Sequence, residues 1–213
     1  MVPRWTADDD AFRFRAGRPS LDLGSTLLWR HVDPVEQLRQ PGDLSRWLSE
    51  AGLWPRPVPA TGDELGQARA LREVLYRLAS ARSRGQPLAR ADTAVVNDIA
   101  AHPALVPQLA PNGRLRWHAD EPVAAALSSV ARDGIDLLTG SLAERIRECA
   151  APDCAFLFVD TSRPGTRRWC AHNRCGNREH VRQHRARHTT RTTPGSDARP
   201  VSTPPSRSVE ATS

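Results

Sequence analysis

The stretch Cys149-Ala-Ala-Pro-Asp-Cys154-Ala-Phe-Leu-Phe-Val-Asp-Thr-Ser-Arg-Pro-Gly-Thr-Arg-Arg-Trp-Cys170-Ala-His-Asn-Arg-Cys175 holds all four cysteines of the 213-residue chain. Two Cys-x4-Cys pairs lie fifteen residues apart. Each pair can supply two thiolates from one turn, and the segment between them returns the chain to close a tetrahedral shell, so Cys149, Cys154, Cys170 and Cys175 are predicted to bind one structural Zn2+. Four sulfurs leave no open coordination position, which argues against catalytic zinc. His172 or His180 is an alternative ligand in place of one cysteine. Phe156 to Val159 is strand-like and Thr161 to Thr166 turn-like, so the module is expected to be a small metal-pinned hairpin, zinc-ribbon-like or treble-clef-like, followed by a helix from about Asn177.

Charge is concentrated in the same region. All 30 basic residues are arginine, and nine of them fall between Thr161 and Arg191 against one acid, Glu179. That segment carries +8 where the whole chain carries +6, which leaves the rest at −2. A compact basic patch on a near-neutral body is the footprint of a phosphate-binding surface. With Asn177 as N-cap, Arg178, Arg182 and Arg185 fall at i, i+4 and i+7 along one helix face, with Val181 and His184 toward the finger core. Arg167, Arg168 and Arg174 join them as candidate nucleic-acid contacts. Trp169 packs over the metal or stacks on a base, and the Asn177 amide is expected to hold the metal loop. DNA is the favoured partner, with RNA as the alternative.

Upstream the patterning is helical. Thr61-Gly-Asp-Glu64 is a capping box, and Leu65, Ala68, Leu71, Leu75 and Leu78 form the apolar stripe of a long helix ending near Gly85, with Arg69, Arg72, Glu73 and Arg77 off the stripe. Pro19 to Trp29 offers a helix, Asp43 an N-cap for a short one, and Asp92 a cap for another. Phe12 to Phe14 alternates as a short strand would. Leu105 to Trp117, broken by Pro111-Asn-Gly113, reads as a hairpin. Pro122 opens a pattern through Val123, Leu127, Val130, Gly134 and Leu137 to Leu142 and Ile146, a helix expected to lead into Cys149. The fold class is therefore mainly α (α+β): a helical N-terminal domain with a short β-hairpin over residues 11–145, a zinc module over 146–188 and a disordered tail over 189–213.

Asp22, Ser25, Thr26 and Arg30 cluster near the first helix and are candidates for a small-molecule effector pocket, or else helix-bracing groups. No nucleophile triad, phosphate loop or dinucleotide fingerprint appears, so no enzyme is expected. The alternatives are an enzyme or ligand-binding protein with its pocket in the N-terminal domain, and a protein adaptor with a purely structural finger. Without a secretory signal or a long apolar run, the protein is expected in the cytoplasm and off the membrane. One finger reads few bases, which favours a homodimer or a partner protein.

Arg167-Arg168-Trp169-Cys170 and Cys175-Gly176-Asn177-Arg178, with Phe156 to Ser162 between the cysteine pairs, resemble the CGNR zinc finger. Leu21-Asp22-Leu23-Gly24-Ser25-Thr26-Leu27 with Arg30 resembles the start of the ABATE domain that precedes this finger in bacterial proteins. Together they span roughly residues 11 to 188. The family usually has Asn where this chain has Ser25. The resemblance implies a stress-related transcription regulator, a bound zinc and DNA binding by the finger.

Overall fold

The computed structural model describes residues 11–182 and 184. The candidate contact Arg185 and the predicted disordered tail lie outside them. Residues 11–177 form one compact unit. In chain order it contains α1 (Pro19–Gly24), β1 (Leu27–Leu28), β2 (Val35–Glu36), α2 (Pro41–Glu50), α3 (Gly62–Ser83), α4 (Arg90–Ala101), β3 (Val106–Leu109), β4 (Leu115–His118) and α5 (Pro122–Thr139). A 3-10 turn (Ala143–Arg145), β5 (Ile146–Glu148), β6 (Leu157–Val159) and a π-helical turn (His172–Gly176) complete it. From Arg178 a second unit begins, whose described residues are helical and in which Arg182 pairs with Glu179 at 2.8 Å.

Helix α3 is the axis of the first unit. Its capping box forms as the sequence predicts: the Glu64 amide donates to Thr61 Oγ1 at 3.2 Å and the Thr61 amide to the Glu64 carboxylate at 2.7 Å. Its stripe of Leu65, Ala68, Leu71, Leu75 and Leu78 is buried, and the helix touches α1, α2, α4, α5, β5 and β6. Each fully buried leucine contributes about 2 kcal/mol. Gly134 of α5 lies where a Cβ would come 2.4 Å from Leu75 Cδ2, so the two helices approach closely at that point.

Several boundaries differ from the sequence reading, each for a local reason. Helix α1 stops at Gly24 because the Ser25 and Thr26 hydroxyls donate back to the Asp22 and Leu23 carbonyls, at 2.7 and 2.8 Å. Gln40 takes the cap position of α2, and Asp43 reaches back from inside the helix to accept the Arg39 and Gln40 amides, each at 3.0 Å. Ala89 is the cap residue of α4, while Asp92 pairs with Arg77 at 2.6 Å. Residues 12–14 form no assigned strand. The β3–β4 hairpin is present, with Leu109 opposite Leu115. Helix α5 ends at Thr139 before Gly140, so a strand, β5, delivers the chain to Cys149 in place of the expected helix.

Arg72 departs most. Although it lies off the leucine stripe, it is 4% exposed, and its guanidinium bonds both Glu36 oxygens at 2.6 and 2.7 Å and Glu73 at 2.8 Å. Burial alone lowers its pKa, but the carboxylates of Glu36 and Glu73 more than reverse that and hold it above the ordinary arginine value. The pair ties β2 to α3 from inside the protein. Arg72→Ala strands a partly buried carboxylate and is expected to destabilise the protein by about 3 kcal/mol in urea unfolding. A loss under about 1 kcal/mol would mean that the pair behaves as a surface ion pair.

Candidate metal centre

Four backbone devices bring the cysteines together. Strands β5 and β6 pair antiparallel from Ile146↔Val159 to Glu148↔Leu157, and the Cys149 amide extends the ladder by donating to the Phe156 carbonyl at 2.9 Å. Past Cys149, the Cys154 amide closes a turn on the Ala151 carbonyl at 2.9 Å. The Ala150 amide binds the Arg168 carbonyl at 2.8 Å, which brings the second pair alongside. The π-helical turn then carries Cys175, closed by the Gly176 amide on the Ala171 carbonyl at 3.1 Å. A side chain at Gly176 would press on His172 and Trp169, with a Cβ only 3.3 Å from His172 Nδ1.

All four Sγ atoms lie within 4.8 Å of one another. Cys154 and Cys170 are 3.7 Å apart, Cys170 and Cys175 3.5 Å, and none is in a disulfide. A tetrahedron with zinc–sulfur arms of 2.3 Å has edges of about 3.8 Å. The donor set and spacing therefore fit zinc, and among the described residues no other group of three or more His, Cys, Asp or Glu side chains is so arranged. The cluster is electrostatically incomplete alone. Hydrogen bonds from Cys154, then Cys170 and Cys175, lower the Cys149 pKa, while those to Cys149, Cys170 and Cys175 together with burial raise that of Cys154. Four buried thiolates at this distance need a cation among them.

The N-terminal segment supplies part of the surround. Arg15 Nη2 lies 3.8 Å from Cys170 Sγ, and its guanidinium sits 5.1 Å over the Phe156 ring. The Cys170 amide donates to Cys149 Sγ at 3.4 Å. Arg15 was not among the sequence candidates, because its role depends on a contact 155 residues away. On the other side of β5, Glu148 accepts from Arg84 at 2.7 Å and from the Tyr76 hydroxyl at 3.5 Å.

The basic candidates divide. Arg167 turns inward, with Nε on the Trp169 carbonyl at 2.9 Å, Nη2 on the Cys170 carbonyl, and its guanidinium 4.3 Å over Phe158. Arg168 is exposed, 5.2 Å over Trp169, and Arg174 is half-buried in the π-helical turn. In the second unit Arg182 is exposed, Arg178 is half-buried, and Val181, expected to face the core, is 50% exposed, as His184 is exposed. Asn177 is already helical and does not cap; its amide nitrogen donates to the Asn173 carbonyl at 3.3 Å, holding the metal loop.

The side chains of Asp22, Ser25, Thr26 and Arg30 all bond internal partners, although Arg30 Nε is buried without one. Arg30 pairs with Glu73 at 2.5 Å, donates to the Gly24 carbonyl and stacks 4.0 Å over Tyr76. Thr26 Oγ1 accepts from Arg72 at 3.4 Å. A cavity of about 20 Å³ beside Ser25, bordered by Arg13, Trp29 and Phe156, has room for about one water. Asp22 accepts the Ala16 amide at 2.9 Å, and its burial pushes the carboxyl up to about 6 against that bond. No helix among the described residues is long and apolar enough to cross a membrane.

Residues 17–141 match the family model ABATE, described as "Putative stress-induced transcription regulator". Residues 145–188 match that of the CGNR zinc finger. No match was found among curated proteins.

Two outcomes follow from this geometry. Chelation is expected to raise amide exchange over residues 149–175 and over residues 11–18 together, since Arg15 loses its sulfur partner; protection retained at 11–18 would show the segment to be independent of the metal. For Asp22, a folded pKa near 6 against an ordinary 3.8 means that the folded state binds the proton more tightly, so its contribution falls as pH rises from about 4 to 6 and stays low above that. Asp22→Asn, which keeps an oxygen for the Ala16 amide, is expected to be more stable than wild type at pH 7 by up to about 3 kcal/mol and equal to it near pH 4. The same difference at both pH values in thermal unfolding would exclude a titration effect.

Proposed function

We propose that this chain, which belongs to the ABATE family and carries a CGNR zinc finger, is a DNA-binding transcription regulator in which the helical part positions a finger held by one structural zinc. The family description supports a regulatory role. One observation carries the DNA-binding part of the reading: from Thr161 to Arg178 the chain holds five arginines and no acid, and two of them, Arg163 and Arg168, are exposed in the segment that leads from β6 to Cys170. A single-sign surface on a metal-fixed scaffold suits a polyanion, because each phosphate contact releases counterions from the nucleic acid. Arginine adds bidentate grip on phosphate and guanine. Zinc bound by four thiolates leaves no position for a reacting water, so the metal's part is to hold the fold and the reading is non-catalytic.

Purified protein is expected to contain about one zinc per chain and to bind duplex DNA with an affinity that falls steeply with salt. The combined Arg168→Ala, Arg178→Ala and Arg182→Ala variant is expected to bind at least about tenfold more weakly at moderate salt, with a shallower salt dependence. Anisotropy titrations against duplex DNA and single-stranded RNA separate the partners. A zinc-loaded protein with no salt-dependent affinity for duplex DNA at low ionic strength overturns the reading, and tighter binding to RNA would redirect it.

A further inference from the structure

The turn between β6 and Cys170 is held far more firmly than its packing requires. Residues 161–168 contribute nothing to the hydrophobic core, and Thr161, Arg163, Pro164, Thr166 and Arg168 are exposed. Yet both ends of the turn are fixed by one wholly buried carboxylate. Asp160 accepts the Ser162 amide on one oxygen and the Arg167 amide on the other, each at 2.9 Å. Arg145 braces the same loop from beneath, donating to the Ser162 carbonyl at 2.8 Å and the Asp160 carbonyl at 3.2 Å. The Gly165 amide closes Ser162-Arg163-Pro164-Gly165 on the Ser162 carbonyl at 3.1 Å. Gly165 has φ +66°, a conformation that favours glycine, and lies against the Arg145 guanidinium.

The element presented by this brace is Arg163. Among the described residues it has no hydrogen bond, ion pair or ring contact, and it is exposed at the first of the turn's two central positions. Burying an aspartate to order a loop that packs on nothing has a physical use when the loop meets a partner, since order fixed in advance lowers the entropic cost of binding. A protein partner would call for an apolar centre, which the exposed side chains of the turn do not offer. A lone exposed arginine at the tip of a narrow turn, whose one neighbouring acid, Asp160, is buried and turned onto the Ser162 and Arg167 amides, suits a narrow and strongly negative slot.

We propose that this braced turn is a minor-groove contact for duplex DNA, with Arg163 as the inserted guanidinium. A·T-rich tracts are the favoured target, because their minor groove is narrow and its negative potential enhanced. The assignment rests on the DNA-binding reading above and adds a second contact of a different kind. Arg163 reads groove width from a rigid turn, where Arg168, Arg178 and Arg182 supply charge.

The test compares wild type and Arg163→Ala, matched in zinc content and circular dichroism, on a short A-tract duplex and a G·C duplex of equal length. The variant is expected to lose about tenfold on the A-tract and little on the G·C duplex, and its salt slope on the A-tract is expected to fall by about one. Unchanged binding of the variant to both duplexes overturns the proposal while leaving DNA binding by the chain intact. Equal weakening on both duplexes overturns it as well, since Arg163 would then be a backbone contact. A wild type that binds neither duplex removes the DNA-binding reading and this one with it.

Discussion

A backbone hydrogen bond ties the segment before α1 to the hairpin that carries the metal centre: the Val159 amide donates to the Ala16 carbonyl at 2.8 Å. It sets Ala16 against β6, with Gly17 beside Val159 and the Arg15 guanidinium over Phe156. The other side of Ala16 is anchored by Asp22, which accepts its amide at 2.9 Å. Gln37 holds the Ala11 carbonyl at 3.0 Å, and Ser25 lies within 3.2 Å of the Arg13 carbonyl. Gly17, at φ +89°, then turns the chain from this edge into α1. Arg15 reaches the sulfur cluster only because Ala16 is fixed. The finger is thus a part of one core with the helices, in which Phe158 and Ile146 share a buried cluster with Leu71 and Leu75.

That arrangement meets an electrostatic need. Zinc with four thiolates carries a formal charge of about −2, and groups around such a centre govern how well the protein tolerates it. Arg15 and the Cys170 amide both approach sulfur, and Arg15 is brought there by the segment that Asp22 anchors. Asp22 does so at a cost to itself, since its own burial disfavours the ionised form. The buried carboxylate and the metal centre are therefore joined through the two residues Arg15 and Ala16.

Much of this was legible in the sequence, because most of it is local. The cysteine spacing identified the metal cluster, the Thr61 capping box marked the start of α3, and Pro111-Asn-Gly113 marked the β3–β4 turn. These signals are written within a few residues of the structure they specify. What was not legible depends on distant partners or on competition between side chain and backbone. Ser25 and Thr26 ended α1 by bonding carbonyls of the helix itself, which the apolar pattern through Leu27 and Trp29 does not record. Arg72 was placed on the solvent side by periodicity and drawn inward by Glu36, thirty-six residues away. Gly140 stopped α5, and the apolar residues beyond it, Leu142 and Ile146, extended the helical spacing by coincidence while belonging to a turn and a strand.

The arginines show why composition alone could not locate the functional surface. With no lysine in the chain, one residue type serves every basic purpose, and only the acceptors around each guanidinium distinguish them. Arg145 and Arg167 satisfy backbone carbonyls of the finger, Arg15 faces sulfur, and Arg72 neutralises carboxylates. These positions need the planar, multi-donor head of arginine, which lysine cannot reproduce. Arg163 and Arg168 differ because their donors meet solvent. In adjacent sequence Arg167 and Arg168 are equivalent, yet Arg167 closes the metal loop and Arg168 lies open over Trp169. The backbone around Asp160 makes that separation: by binding the Arg167 amide it turns one guanidinium toward the Cys170 carbonyl and leaves its neighbour outside. The same buried carboxylate that orders the turn thus also sorts its arginines into those that build the finger and those available to a partner.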